Sequence, residues 1–434
     1  MFPKKTIHDV EISGKAVMVR VDFNVPLVDG IIANDYRIRQ SLPTIEHLRG
    51  KGASKIILIS HLGRPKNQFD QKLSLAPVAT KLSDLLHLPV KFVGDCVGKE
   101  AKEAVANLRS GEIILLENLR FNSSELANDD HFAKQLANMA DLFVQDGFGV
   151  VHRKQASTEA ITKFIPSVAG LLVQKEVNTI NRSIESPEKP LVVVIGGAKI
   201  SDKIDLISHF ITRADYVAVV GAIANTFLLA KNIPIGHSLA DEASVKVAKD
   251  ILEAAAERTH KEHFTFYLPH DVVVAKSEAP NSATRVVDLF QHSWSDITAY
   301  PRQPEVKAYT IQADEAVFDI GPMSAAAIAG ALKLAGTSIW NGTSGMAEVK
   351  GINGAADPFG HGSKVLAEAM VGANGNDKNK PFSLVGGGDT TSFVMSQESL
   401  AERFSYISTG GGATLELMAG KKLPGIEALL DKKG

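Results

Sequence analysis

The sequence predicts an α/β protein with parallel sheets in two domains, and a third domain is possible. Two observations lead to this fold class. Short apolar runs recur along the chain, and most are separated by stretches with helical spacing, as in strand–helix–strand units. In addition, 434 residues exceed what one hydrophobic core usually covers.

The apolar runs are interpreted as buried strands, because strands covered on both faces lose the alternation of apolar and polar residues. Helical spacing is clearest in residues 75–86, 131–140 and 243–258. Segment 171–190 contains no buried strand and ends in a charged patch bracketed by prolines, so we expect an interdomain helix and linker there. In chain order the strand candidates are AVMVRVDF, KIILISH, EIILLENLR, DLFVQDGF, LVVVIGG, YVAVVGA, FTFYLP, AVFDIGP, SIWNGTSG, FSLVGGG and FSYISTGG.

Composition and charge exclude several classes of protein. A formal net charge of −2 argues against bulk attraction to nucleic acid or to a membrane surface. The single cysteine, Cys96, excludes an internal disulfide and a cysteine metal cluster, and we interpret it as a core residue. The start, MFPKKTIHDV, lacks the apolar core of a signal peptide, and no stretch reaches the length of a membrane span. We therefore expect a cytoplasmic protein without nucleic-acid or membrane partners.

The stretch 190–205, PLVVVIGGAKISDKID, changes from an apolar strand to helical spacing after Gly196 and Gly197. This spacing would place Lys199 and Lys203 on one face of a first helical turn, where a lysine typically costs about 0.3–1 kcal/mol. An anion such as phosphate, bound between the lysines and the free backbone N–H groups, would explain them. A tight turn with solvated lysines is the alternative, and neither the Walker nor the dinucleotide motif is present to decide.

In the first half of the chain, basic and polar residues follow the strands, at the sheet edge where parallel α/β folds bind ligands. Any one of them could be a solvated loop residue. Several at one edge indicate a basic pocket for a small, highly anionic substrate, because the planar fork of arginine binds carboxylate and phosphate through two bonds. The set comprises Asp22, Asn24, Arg37, Arg39, His61, Arg64, Arg120, His152 and Arg153.

In the second half, glycines follow the strands instead, in GGAK (196–199), GGGDTTS (386–392) and STGGGAT (408–414). One such run is commonly a turn that needs positive φ, whereas three after apolar strands favour backbone binding of phosphates. Asp389 could be a helix cap. Beside phosphates, however, it would repel them without a divalent cation, so we interpret it as a Mg²⁺ ligand, through water. The two halves together suggest phosphoryl transfer between a nucleotide and an anionic metabolite.

Nine segments resemble the phosphoglycerate kinase family, in that family's order and across essentially the whole chain. The resemblance implies two Rossmann-like lobes with parallel sheets, joined by a hinge helix, and a C-terminal segment that returns to the first lobe. It also implies reversible, Mg²⁺-dependent phosphoryl transfer between ATP and the carboxylate of 3-phosphoglycerate, giving 1,3-bisphosphoglycerate and ADP. The segments are VRVDFNVPL, SHLGRP, LLENLRF, PSVAGLL, GGAKISDKI, DIGP, WNG, GGGDT and STGGGATLELMAGKKLPGIEAL.

The domain boundaries follow from the same resemblance. Residues 1–171, completed by 409–434, would bind the acid, and residues 190–408 would bind the nucleotide. Residues 172–189 would form the hinge helix between them. We expect a monomer whose lobes close when both substrates are bound, because the phosphoryl group cannot cross open water.

Site residues are inferred position by position from the resemblance. Arg37 and Lys199 are expected to approach the moving phosphoryl group, and Lys203 to hold the nucleotide phosphates. Asn341 and Glu348 rest on the resemblance alone. The acid side comprises Asp22, Asn24, Arg37, His61, Arg64, Arg120 and Arg153, and the nucleotide side comprises Gly197, Lys199, Lys203, Asn341, Glu348, Gly387, Gly388, Thr390 and, as the Mg²⁺ ligand, Asp389.

The chain departs from the family pattern at GAIANTF (221–227), WNGTSGMAE (340–348), DGFGVVHR and position 323. Most departures lie where the family holds the base and ribose, so they leave base selectivity open. Two alternatives to the family reaction also stay open at this point. One is a homologue that has lost turnover and acts as a binding protein, and the other is a kinase for a different phosphorylated acid.

Overall fold

The computed structural model describes residues 2–66, 68–198, 200–290, 310–372 and 380–432. The chain divides into two compact units: unit 1 comprises Met1–Thr179 and Lys421–Gly434, and unit 2 comprises Ile180–Gly420. The division at 179/180 falls inside the helix Leu171–Glu185, within the segment expected to be helical. The domain boundaries at 171, 189 and 408 stay a prediction.

Unit 1 contains a parallel six-stranded sheet. Its elements in chain order are β1 Ala16–Arg20, β2 Leu27–Val28, β3 Ile31–Ile32, α1 Tyr36–Gly50, β4 Lys55–Ile59, α2 Ala76–Leu86, β5 Val90–Val93, α3 Lys99–Ala106, β6 Glu112–Leu116, α4 Ser123–Leu126, α5 Asp130–Ala137, β7 Leu142–Gln145, β8 Ser167–Ala169 and α6 Leu171–Glu185. The sheet order is β5-β6-β4-β1-β7-β8, and every pair is parallel.

Helices cover both faces of this sheet, which explains the continuous apolar runs. Side chains alternate across a strand. Val17 and Val19 therefore pack with residues of α1 and α2 in one buried cluster, whereas Met18 packs with residues of α3 and α5 in another. Cys96 belongs to the second cluster, as expected of a core residue.

The end of the chain completes unit 1, in agreement with the expected C-terminal return. The backbone N–H of Lys5 donates to the carbonyl of Leu430 (2.7 Å), and the N–H of Leu430 donates to Ser167 (3.0 Å). Lys4 Nζ lies 2.7 Å from Asp431 Oδ1. The last segment therefore extends the backbone hydrogen bonding beside β8.

Unit 2 contains a second parallel six-stranded sheet, in the order β11-β10-β9-β15-β16-β17. All five residues of its central strand β9 are buried, as the run LVVVI predicts. The elements are β9 Leu191–Ile195, α7 Ile204–Ile211, β10 Tyr216–Val219, α8 Ala222–Ala230, α9 Val245–Lys261, β11 Thr265–Tyr267, β12 Asp271–Ala275, β13 Arg285–Asp288, β14 Ala316–Ile320, α10 Pro322–Leu334, β15 Thr337–Asn341, α11 His361–Val371, β16 Phe382–Gly386, α12 Gly388–Ser396, α13 Glu398–Ala401, β17 Tyr406–Ile407 and α14 Gly412–Met418, followed by α15 Pro424–Glu427 in unit 1.

Parallel pairing was the wrong expectation for the run AVFDIGP. Its strand β14 pairs with β12 in a separate antiparallel sheet of order β13-β12-β14, and neither β12 nor β13 was predicted. A short apolar run carries no information on the direction of its partner, which depends on the connecting chain. Among the helices that the structure describes, none has both the length and the apolar content needed to cross a membrane.

Candidate active site

Four of the predicted acid-side residues follow neighbouring strands of unit 1. Asp22, His61, Arg120 and Arg153 come after β1, β4, β6 and β7, which stand side by side in the order β6-β4-β1-β7. Because these strands are parallel, their carboxyl ends share one edge of the sheet. The structure therefore brings together a basic cluster, which we define as Arg37, His61, Arg120 and Arg153.

Arg37 joins this cluster from the first turn of α1. Its Nη1 lies 3.1 Å from Oδ2 of Asp22 and donates to the backbone oxygen of Asn24 at 3.0 Å. Asp22 is 4% exposed, so its charge has little help from water and depends on such partners. Arg37 thus neutralises a buried carboxylate within a site that is otherwise positive.

His61 lies buried at the centre of the cluster. Its Nδ1 is 3.2 Å from Nη2 of Arg20 and 3.9 Å from Oδ1 of Asp22. An arginine can only donate, so Nδ1 accepts and the neutral ring carries its proton on Nε2. Burial, followed by the charges of Arg20, Arg120, Arg37 and Arg153, holds the pKa of His61 well below its usual value. His61 therefore acts as a neutral hydrogen-bonding group.

Arg20 was missed by the sequence reasoning, although a charged residue inside the apolar run AVMVRVDF is a usable signal. Its side chain is fully buried. Nε donates to Oγ of Ser157 at 2.8 Å, and Nη2 lies 4.0 Å from Oε1 of Glu125. With these partners Arg20 determines the ring orientation of His61.

Arg120 has unused hydrogen-bond donors. Nη1 donates to the backbone oxygen of Gly63 at 2.7 Å. Nε and Nη2 are buried and have no hydrogen-bond partner among the described residues. Burial, with the charges of Arg20 and Arg153, lowers the pKa of Arg120 to about 10, so it stays charged at neutral pH. Buried donors without partners are costly, and an anion would satisfy them.

Arg153 is exposed, and its Nε donates to Nε2 of His152 at 3.0 Å. The proton of that ring is therefore on Nδ1, which is buried without a partner among the described residues. Burial and the neighbouring Arg153 lower the pKa of His152 to about 4. Arg64 is also exposed, in the loop after Gly63.

Unit 2 contains a cavity of about 1000 Å³ beside the carboxyl ends of β9, β10, β15 and β16. Gly197, Glu348 and Asp389, all predicted for the nucleotide side, line it. Ala222 and residues 343–347 also line it, so two of the four departures from the family pattern contribute to its wall. Lys199 lies outside the described residues.

Lys203 lies beside the cavity and uses all three of its donors within the protein. Nζ donates to the backbone oxygens of Gly196 and Asn341, and to Oδ1 of Asn341 at 2.6 Å. Burial lowers the pKa of Lys203 to about 8, against the opposing charges of Asp389 and Asp202. Binding a phosphate would require exchange of at least one of these bonds.

The expected helix start after Gly197 was wrong. α7 begins at Ile204 with Lys203 as its N-cap residue, so Lys203 does not belong to a first helical turn. The described residues before it form bends and turns, and the N–H of Lys203 donates to the carbonyl of Ile200 at 2.8 Å. Long-range bonds from Lys203 to Asn341 outweigh the local helical spacing.

Asn341 and Thr390 support the turn after β15. Oγ1 of the buried Thr390 accepts from the N–H of Gly342 at 2.6 Å. Gly342 has φ +98°, and a Cβ there would overlap the backbone carbonyl of Gly196. Nδ2 of Asn341 is buried without a partner among the described residues. This turn therefore needs glycine, and the Asn341 amide retains a free donor.

The run after β16 places Gly387 as N-cap residue of α12, followed by Gly388 and Asp389 in its first turn. Gly388, Asp389 and Glu348 are exposed. The described residues hold no group of three or more side chains suited to a metal. A single carboxylate at a cavity wall suits Mg²⁺, which commonly takes one or two carboxylates together with substrate phosphates.

Asp319 was also missed, although it too is a charged residue in an apolar run. It lines the cavity while 1% exposed, accepts from Oγ of Ser344 at 2.8 Å, and accepts from the N–H of Gly362 at 2.8 Å. Burial raises the pKa of Asp319 to about 7. Through Ser344 it supports the segment in which the chain departs from the family pattern.

Comparison with known proteins gives consistent matches. The sequence model of a family described as phosphoglycerate kinase matches residues 7–421. Proteins named phosphoglycerate kinase from Pelotomaculum thermopropionicum and Moorella thermoacetica are 41% and 42% identical, over 99% of this chain and 100% of each relative. The solved phosphoglycerate kinase from Coxiella burnetii is 35% identical with a TM-score of 0.78, over 98% of both chains. The one from Pyrococcus horikoshii OT3 is 28% identical, also with a TM-score of 0.78, over 99% of this chain and 98% of that one.

Proposed function

The chain belongs to the phosphoglycerate kinase family, and from this premise we propose how its residues carry out the reaction. It is a phosphotransferase with a carboxyl group as acceptor, acting between ATP and 3-phosphoglycerate. We assign the acid to the basic cluster of unit 1 and the nucleotide to the cavity of unit 2. A monomer in the cytoplasm stays a prediction from the sequence.

The unsatisfied donors of Arg120 are the observation that supports assigning the acid substrate to the basic cluster. The buried Nε and Nη2 of Arg120 have no partner among the described residues, beside further positive charge from Arg37 and Arg153. A doubly anionic phosphate or a carboxylate would supply the missing acceptors through bidentate bonds. The neutral His61 adds a donor at Nε2 without adding charge.

In this proposal, catalysis depends on positioning the two substrates and on stabilising the negative charge of the phosphoryl group. The acid carboxylate attacks the terminal phosphorus of ATP, the bond to the bridging oxygen breaks, and ADP leaves. Arg37 and Lys199 stabilise charge on the phosphoryl group in transit, and Lys203 holds the nucleotide phosphates. The reacting atoms must approach to about 3–3.5 Å, so closure of the two units on their substrates is part of the proposal.

A coupled assay with 3-phosphoglycerate and MgATP tests the function directly. We expect turnover that saturates with both substrates and is much slower with other phosphorylated acids. Binding of both substrates without turnover would favour the alternative of a degraded homologue. Faster turnover of a different phosphorylated acid would favour the other alternative.

For Asp389 we propose a role through Mg²⁺, which when bound would neutralise phosphate charge. Asp389→Ala should weaken MgATP binding about tenfold, while metal-free ATP should bind no worse, because the carboxylate repels it. Titration calorimetry of both forms measures this. Asp202→Ala is the matched control, since Asp202 is an exposed carboxylate near Lys203 that does not line the cavity. Equal losses for the two forms would leave Asp389 only a helix-stabilising role, as the acidic residue in the first turn of α12.

Lys203 gives a pH prediction. Its pKa of about 8 lies below the ordinary 10.5, because burial disfavours the charged form. A bound phosphate favours that form, so nucleotide affinity should fall as pH rises through 8, with proton uptake on binding. The effect of Lys203 on the folding stability of the free protein has the opposite pH dependence. Between about pH 8 and 10.5 the unfolded chain binds more protons at this residue than the folded chain does, so its contribution makes stability rise with pH.

Calorimetry in buffers of different ionisation enthalpy measures the proton uptake by Lys203. Lys203→Met should bind nucleotide weakly at every pH and lose the fall above pH 8. A pH profile that is unchanged in this variant would assign the titration to another group.

A further inference from the structure

Asn118 connects the loop between β4 and α2, which carries His61, to the loop after β6, which carries Arg120. It was not among the predicted site residues. It follows β6 and is fully buried. Nδ2 donates to the backbone oxygens of Leu62 at 2.7 Å and Leu73 at 2.9 Å. Oδ1 accepts from the N–H of Leu62 at 3.2 Å and of Arg120 at 3.0 Å. One amide thus satisfies four backbone groups.

These backbone groups adjoin the residues assigned to the acid. Leu62 lies between His61 and Gly63, and the oxygen of Gly63 accepts from Arg120 Nη1 at 2.7 Å. The N–H of Gly63 donates to Oδ1 of Asn24 at 2.8 Å. The backbone of Gly63 is therefore bonded to two predicted acid-binding side chains. Asn118 holds Leu62, the neighbour of Gly63, on one side of the contact between Gly63 and Arg120, and it holds the backbone of Arg120 on the other side.

Gly63 and Leu73 belong to the same loop, between β4 and α2, and lie close together. Gly63 has φ +63°, and a Cβ there would lie 2.6 Å from Cδ2 of Leu73. The neighbouring Glu117 holds the other end of the loop, since its carboxylate accepts from Oγ of Ser74 at 2.8 Å and from the N–H of Leu75 at 2.9 Å. Leu73, next to Ser74, is thus held by two adjacent residues of the β6 loop.

We propose that Asn118 is a positioning residue for the acid substrate: it holds the Gly63 peptide and Arg120 at the separation that leaves Arg120 Nε and Nη2 free for the anion. This inference rests on the proposed function of the basic cluster. Only an amide offers two donors and an acceptor for two N–H groups at this place. An aspartate carboxylate has nearly the same shape, but it would place negative charge beside two carbonyl oxygens and could donate a hydrogen bond to neither.

Asn118→Asp tests the proposal with shape retained. The dissociation constant for 3-phosphoglycerate should rise about 10- to 100-fold, in line with a displacement near 1 Å, while that for MgATP changes less than twofold. Both are measured by calorimetry on the full chain, with kcat and both KM values alongside. Asn118→Ser, which keeps one donor and leaves room for water, should shift acid affinity in the same direction. A folded Asn118→Asp or Asn118→Ser protein with ordinary acid affinity would overturn the proposal.

Leu136→Ala is the control for a purely structural effect, because Leu136 is a fully buried apolar residue of α5 and its side chain makes none of the hydrogen bonds of Asn118 described above. It should lower the melting temperature and leave acid affinity unchanged. If it weakens acid binding as much as Asn118→Asp does, general loosening of unit 1 explains both results and the positioning role is wrong.

A double-mutant cycle with Arg120→Ala separates this inference from the proposed function. If Asn118 acts through Arg120, Asn118→Asp should have little further effect on acid affinity in the Arg120→Ala background. Additive effects would overturn the positioning role and leave the acid site intact. Unchanged acid binding by Arg120→Ala alone would instead overturn the assignment of the acid to the basic cluster.

Discussion

Replacing Arg37 with alanine is expected to lower kcat/KM for 3-phosphoglycerate by about 10²–10³-fold. The change removes a cation that contacts Oδ2 of Asp22 at 3.1 Å. It also leaves Asp22, which is 4% exposed, as a carboxylate without its ion-pair partner, at the place where we propose that the anionic substrate binds. We expect a lower kcat together with a higher KM for the acid, and an unchanged KM for MgATP, measured by steady-state kinetics.

Two further variants make the Arg37 prediction specific. Asp22→Asn in the Arg37→Ala background should restore part of the acid affinity, because the stranded charge is gone. Arg39→Ala is the matched control on the same helix, since Arg39 is exposed and paired with Asp35 at 2.9 Å, and it should stay within about twofold of the parent. A loss in Arg39→Ala equal to that in Arg37→Ala would indicate a general effect of positive charge on α1.

Replacing Lys199 with alanine should lower kcat by about 10²–10³-fold and weaken nucleotide binding far less. Lys199 follows Gly197 and Ala198, which line the cavity of unit 2. We propose that its charge matters most while the phosphoryl group is between substrates, when negative charge spreads over the transferring oxygens. Single-turnover rates and calorimetric titration with MgADP measure the two quantities separately.

Lys203→Ala provides the contrast to Lys199→Ala. Because Lys203 holds Gly196 and Asn341 together, its loss should weaken nucleotide binding and stability as well as turnover. Lys199→Arg, which keeps the charge, should recover part of kcat. If Lys199→Ala weakens nucleotide binding as much as turnover, Lys199 contributes only to ground-state binding.

The sequence determined the alternation of strands and helices. Every residue of LVVVI is buried in β9, and the helix expected at 75–86 is α2, because burial on both faces and helical spacing leave strong local patterns. It also located the basic and glycine-rich strand ends, since parallel strands bring their carboxyl ends to one edge whatever the details of packing. The family followed from motifs spread over the whole chain.

Only the tertiary structure decided which of these residues meet and how they are bonded. The antiparallel partner of β14, the start of α7 at Ile204, and the contacts of Arg20 with His61 depend on residues far apart in the chain. Asn118 is the clearest case, because one amide bonds to residues 56 and 45 positions away. Such bonds leave no local pattern, because they join polar groups that only the tertiary structure brings together. The low dielectric of the interior strengthens each bond, and the bond in turn offsets the cost of desolvating its two groups.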